Sequence, residues 1–268
     1  MATSSGSRRP AAARCAATAV AALALSGVPD VGYAQLVPIF VVPTESRVAA
    51  PVAAGEPLRV ELHGHDIGAL ARALGVADPG PGATHLDYTL RQYPGIATAS
   101  ERSWLEPTFV IDFDQPAVAS LYDELRQSGA GPYSREQLAQ FVARVVDEAP
   151  GRGWDVASRV ATRRDGDCTE HAVLLTALAR RSGIPARVVL GVAIVQVNGG
   201  YATYGHAWSE LREDGRWVVA DASLTGLEAP VRYLPLGVLE QEGPGFFVSA
   251  AAFMQRWVKR VVVVGAAT

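Results

Sequence analysis

From Cys168 onward the apolar side chains change their period, and that change restricts the fold more than any other feature. Ala172, Leu175, Leu178 and Ala179 recur at helical spacing. Ser182-Gly183, followed by Ile184-Pro185, stops the helix. Ala186 to Val197 is then rich in Val and Ile and ends at Asn198-Gly199-Gly200, a strong turn signal. Tyr201 to Arg212 and Arg216 to Ala222 read as two further strands, joined across Glu213-Asp214-Gly215. The expected local architecture is a helix followed by a three-strand antiparallel meander.

Three side chains on these elements have the chemistry of a thiol catalyst. Cys168 stands where a loop gives way to the helix, in Asp-Gly-Asp-Cys-Thr-Glu-His-Ala (Asp165 to Ala172). His206 follows in Gly-His-Ala-Trp, and Asp221 in Arg-Trp-Val-Val-Ala-Asp. Nucleophile, base and orienting carboxylate on separate elements are what acyl transfer by a cysteine requires. The free N–H groups and dipole of a helix N-terminus favour the thiolate, as does a neighbouring imidazolium. Asp165 and Asp167 oppose it unless they point away or cap the helix, and Asp167 is expected to cap.

Hairpin geometry sets a condition on the His206–Asp221 pair. A four-residue connection places the two opposite each other, and a two-residue Asp214-Gly215 turn makes them diagonal neighbours on one face. A three-residue loop without a bulge separates them to opposite faces.

Arg8, Arg9 and Arg14 precede a small apolar run from Cys15 to Leu25, and Gly32-Tyr33-Ala34 supplies small residues before Gln35. That layout is a secretory signal peptide over residues 1–34. The apolar run falls well short of the roughly 20 residues of a membrane span, so no stable span is expected after cleavage, and the mature protein is expected in the periplasm or outside the cell. Removing that segment leaves one of the two cysteines, which excludes an intramolecular disulfide framework. The formal net charge of −3, with no basic block, gives no footprint for nucleic acid.

Residues 35–115 read as a β-rich accessory region. Leu36 to Val42, Leu58 to Leu62, Thr84 to Gln92 and Thr108 to Phe113 are its candidate strands, with a helix capped by Asp66 running to Leu74. Residues 116–268 form the expected catalytic domain. Pro116 to Gln127 opens on a proline at its first turn, and Ser134-Arg-Glu-Gln137 is a capping box that starts a helix to about Ala149. Val261-Val262-Val263-Val264 reads as a last buried strand.

Gly-Asp-Cys-Thr-Glu-His-Ala, then Gly-Ile-Pro-Ala-Arg187, Gly-His-Ala-Trp208 and Trp217-Val-Val-Ala-Asp221, resemble the core of the transglutaminase-like superfamily in order and spacing. The resemblance covers roughly residues 130–225 and implies an α+β, papain-like fold in which the cysteine helix packs on an antiparallel sheet. It implies Cys168 as nucleophile, His206 as base and Asp221 as orienter. Ala222-Ser223 after the aspartate is a mild departure from the family's pattern. Members include transglutaminases, peptidases, amidases and inactive relatives, so the fold does not name the reaction. The implied chemistry is acyl transfer through a thioester on a peptide or protein substrate, without a cofactor. Hydrolysis is expected ahead of cross-linking, because water is abundant and no amine-acceptor site is legible. The alternatives are protein-glutamine cross-linking and a non-catalytic binding module on the same fold.

Several neighbours have simpler readings. Trp154 and Trp208 read as core packing, Glu170 as a dipole-stabilising acid, and Arg187 as the partner of an acid or carbonyl under the sheet. Zinc held by Cys168, His171, His206 and Asp221 is a minor alternative. His63-Gly-His65-Asp66 has metal-like spacing but lacks a third ligand block in sequence, and reads as a surface turn.

Overall fold

The computed structural model describes residues 41–91, 93, 104–129, 131–149, 154–197, 199–240, 242–246 and 258–267. The expected signal peptide and the start of the Leu36–Val42 run lie outside them. The mixed α+β architecture expected from the sequence is present, with helices on antiparallel sheets.

Its centre is the helix Cys168–Arg181. The helices are α1 (Ile67–Ala73), α2 (Pro116–Ser128), α3 (Arg135–Val145), α4 (Ala157–Arg163) and α5 (Cys168–Arg181). The first strands are β1 (Val41–Val42), β2 (Thr44–Ser46), β3 (Leu58–His63), β4 (Leu86–Leu90), β5 (Asp147–Glu148) and β6 (Asp165–Gly166). The later ones are β7 (Ala186–Val197), β8 (Gly200–Glu213), β9 (Arg216–Ala220), β10 (Val231–Val238) and β11 (Arg260–Ala266).

The main sheet runs β1-β8-β7-β10, with β9 also paired to β8. Strands β7, β8 and β9 form the expected antiparallel meander. Ala186, Val188 and Leu190 of β7, with Ala207 and Leu211 of β8, share one cluster with Ala172, Leu175 and Leu178 of α5. Leu121, Leu138, Phe141 and Val160 from the other helices complete it. Each Leu, Val or Phe among them is worth about 1.5–3 kcal/mol when taken from water. Ser209 Oγ donates to the Ala172 carbonyl at 2.9 Å and lies 2.9 Å from Thr176 Oγ1, which pins α5 to β8 in one register.

A second sheet runs β2-β11-β3-β4. The C-terminal valines lie within β11, antiparallel to β3 and parallel to β2. Leu58, Val60 and Leu62 alternate inward and meet Val192, Ile194, Leu234 and Leu236 of the main sheet in a second cluster.

Two expectations on minor elements need correction. Thr108–Phe113 is not a strand but a local turn, because Thr108 donates its backbone N–H to the Ile111 carbonyl and accepts the Ile111 N–H on its hydroxyl. Such side-chain bonds compete with a sheet ladder. The last helical turn expected before Ala149 is instead extended, since Asp147 and Ala149 pair with the carbonyls of Arg164 and Gly166 beside β6.

Candidate active site

The local sequence before the cysteine builds the end of α5. Arg164 takes a left-handed conformation (φ 57°) after α4 and turns the chain into β6. Gly166 must be glycine there: a Cβ would lie 2.2 Å from Cβ of Glu170. That close approach lets Glu170 Oε2 reach back to the Asp167 N–H at 2.9 Å, while the Asp167 carboxylate caps Thr169 and the third helical residue. The capping box bonds the N–H groups of Thr169 and Glu170 and omits that of Cys168, the first residue of the helix.

The thiol meets β8 where that strand has an open edge. Strand β1 covers Thr203 and Tyr204, and β9 ends opposite Ser209, so Gly205 to Trp208 have no ladder partner on that side among the described residues. The Ala207 backbone N–H hydrogen-bonds the half-buried Cys168 thiol there. His206 is the preceding residue.

Asp221 arrives by the tight hairpin. Glu213 pairs with Arg216 across Asp214-Gly215, both at positive φ (48° and 76°), so the connection has two residues and matches the primed turns that suit strand twist. Continued past Ala220, that register makes His206 and Asp221 diagonal neighbours on one face. The contact is made: His206 Nε2 lies 2.7 Å from Asp221 Oδ2. The carboxylate also accepts the Tyr233 hydroxyl at 2.9 Å, and its Oδ1 accepts the Ser223 and Leu224 N–H groups and the Ser223 hydroxyl. Burial disfavours its charge, but His206, Tyr233 and the Leu224 N–H outweigh burial and hold Asp221 below the usual carboxylate range.

Electrostatics at the thiol differ from the sequence expectation. Burial first, then the charge of Asp167, push the Cys168 thiol well up; Asp221 and Glu148 add to this, and the Ala207 N–H opposes it. The physical reason is burial of the thiol beside the Asp167 carboxylate, which caps the helix at the same end and offsets its dipole.

Two carboxyls beside the thiol are shifted as well. Burial, Asp167 and Asp221 raise Glu148 to about 7, and burial with Asp167 raises Glu170 to about 8. Both bind their protons more tightly in the folded chain than in the unfolded one. The stability this confers is complete below about pH 4 and is lost as pH rises through 7 to 8. The melting midpoint is expected to fall between pH 5 and pH 9, and Glu170→Gln to flatten that fall. Calorimetry showing the same slope in both proteins contradicts this.

The other sequence-identified residues divide clearly. Trp208 is buried and stacks on His206 with ring centroids 6.0 Å apart, while its Nε1 donates to Tyr93 Oη at 3.2 Å. Trp154 packs edge-on to Phe246. Arg187 pairs with Glu210 inside the protein at 2.5 Å. His171 Nδ1 lies 2.7 Å from the Asp167 carbonyl. Among the described residues Cys168, His171, His206 and Asp221 do not gather into a metal-ligand set.

A cavity of about 260 Å³ opens against Asp221 and Tyr233, walled by Arg135, Glu136 and Gln140 of α3. Glu148 and Tyr233 were not singled out from the sequence. Glu148 reaches the site only through the parallel pairing of β5 with β6, and Tyr233 lies on β10, a strand with no helical or alternating apolar signature.

Residues 121–222 match the family model described as the transglutaminase-like superfamily. Over this segment the chain is similar to that superfamily. The superfamily segment opens in α2 and closes one residue after Asp221, so it contains Cys168, His206 and Asp221. Among solved structures, a Cytophaga hutchinsonii protein described as a candidate cysteine protease is 21% identical, with a TM-score of 0.41, covering 62% of this chain and 51% of that one. The periplasmic domain of TgpA from Pseudomonas aeruginosa, bound to ethylmercury, is 23% identical with a TM-score of 0.36, covering 55% and 59% respectively. The chain thus spans between half and three-fifths of the length of these structures. No curated protein matches the sequence.

Proposed function

We propose that this transglutaminase-like chain is an exported thiol hydrolase that cleaves peptide or amide bonds through an acyl-enzyme on Cys168. The observation that carries the reading is the 2.7 Å contact of His206 Nε2 with Asp221, beside a thiol bonded to the next residue's N–H. With Nε2 committed to the carboxylate, Nδ1 is the nitrogen left to act as base. Export rests on the charged and apolar layout of residues 1–34.

In this mechanism His206 takes the Cys168 proton as sulfur bonds to the substrate carbonyl carbon. The Cys168 backbone N–H, left out of the capping box, supports the oxyanion. The carbon–nitrogen bond then breaks, and His206 returns the proton to the departing amine, leaving a thioester. Water, deprotonated by the same imidazole, attacks the thioester and releases the acid and the thiol. Asp221 compensates the positive charge that the ring carries between these transfers.

Incubation with casein and a labelled amine distinguishes the possible reactions. Fragments that disappear in Cys168→Ala are the expected result. Amine incorporation without fragments assigns cross-linking instead, and no product from the wild type rejects catalysis on these substrates.

A further inference from the structure

The outward face of the second sheet carries a cluster that the site above does not use. Strands β3 and β4 place Glu61 directly opposite Asp87. One pair further on the same face, the register brings His63 to His85, and their ring centroids are 5.4 Å apart. Two carboxylates facing each other across a ladder destabilise it when nothing neutralises them. Ligand atoms of Glu61, His85 and Asp87 all lie within 4.8 Å of one another, and His63 Nε2 is 3.7 Å from Glu61 Oε2. The third ligand block missing beside His63 in sequence is therefore supplied by pairing with β4.

We propose that Glu61, His63, His85 and Asp87 form a binding site for a zinc-class divalent cation across β3 and β4. Two imidazoles with two carboxylates suit a first-row transition ion, whereas calcium and magnesium prefer oxygen ligands alone. Side-chain movements of about an ångström bring these donor atoms to the roughly 3.3–3.6 Å spacing that surrounds a tetrahedral zinc with bonds of roughly 2.0–2.2 Å. Thr84 Oγ1 lies 3.2 Å from His85 Nδ1, an outer contact that leaves Nε2 to face the ion. Two arginines now share the face: Arg47 contacts Glu61 at 2.5 Å, and Arg260 lies 3.2–3.3 Å from the His63 ring nitrogens. Both also sit near Glu45, at 3.7 and 3.6 Å, so each has an acid to fall back on when a cation takes the cluster.

The test is a zinc chloride titration of the full chain carrying Cys15→Ser and Cys168→Ala, which removes both thiols as competing ligands. One ion per chain is expected, with a dissociation constant in the micromolar range or tighter. Zinc at a hundredfold excess over that constant is expected to raise the melting midpoint by roughly 5 °C or more. Adding His85→Ala or Asp87→Asn should weaken binding at least tenfold. Both side chains project from the sheet surface, so metal-free midpoints should stay within about 2 °C of the parent. The proposal is overturned by absence of binding, by unchanged binding in both variants, by loss of binding in His206→Ala instead, or by equal stabilisation with magnesium.

Discussion

Asp221→Asn is expected to lower kcat/KM by about four orders of magnitude while the protein stays folded. The reason lies in which oxygen is pinned. Oδ1 accepts two backbone N–H groups, from Ser223 and Leu224, and an amide nitrogen cannot take that place without setting donor against donor. Asparagine must therefore keep its carbonyl at Oδ1 and turn its NH₂ toward His206 and Tyr233. Facing a donor, Nε2 becomes the acceptor and the ring proton moves to Nδ1. That tautomer has no lone pair for the cysteine proton. Steady-state kinetics on the cleaved substrate, with a melting midpoint as control, check this; a loss below tenfold contradicts it.

Glu210→Ala carries the largest expected cost in stability, about 3–5 kcal/mol, because it leaves the Arg187 guanidinium buried without its carboxylate. Arg187 donates from Nε to Glu210 at 2.6 Å and lies 4.0 Å above the Trp217 ring. Burial works against its charge, and Glu210 compensates. The same carboxylate accepts the Tyr93 hydroxyl, which in turn receives Trp208 Nε1. The loss therefore reaches the ring stacked on His206 and should lower activity too. Denaturant titration should show the full cost in the single variant and much of it recovered in Arg187→Met/Glu210→Leu, since replacing both charges removes the buried ion together with its carboxylate. A single-variant cost under 1 kcal/mol contradicts the account.

These two residues show where the sequence could be read and where it could not. Cys168 and Asp221 announce themselves because they sit beside element boundaries, a helix N-terminus after an N-cap aspartate and the end of a strand, and His206 because its strand is bracketed by the Asn-Gly-Gly and Asp-Gly turns. The two-residue turn then decides the register, and with it the diagonal contact. Arg187 was legible as the partner of an acid or a carbonyl, and Glu210 became that partner only through β7–β8 register.

Long-range pairing explains what was illegible. Glu148 reaches the thiol through a two-residue parallel bridge that has no periodicity to detect. Tyr233 depends on β10, whose Pro235 and Gly237 mark a register shift against β7 and obscure its strand character. The electrostatics at Cys168 turned on burial of the thiol and on the Asp167, Asp221 and Glu148 carboxylates gathered around it, which local spacing does not reveal.

The most direct test of the proposed catalysis is the intact mass of the protein after rapid mixing with an activated acyl ester. The proposed chemistry predicts one acyl addition on Cys168 that forms within the burst, decays as water resolves the thioester, and is much slower to form in His206→Ala. No adduct in the wild type, or equal formation in both proteins, contradicts it.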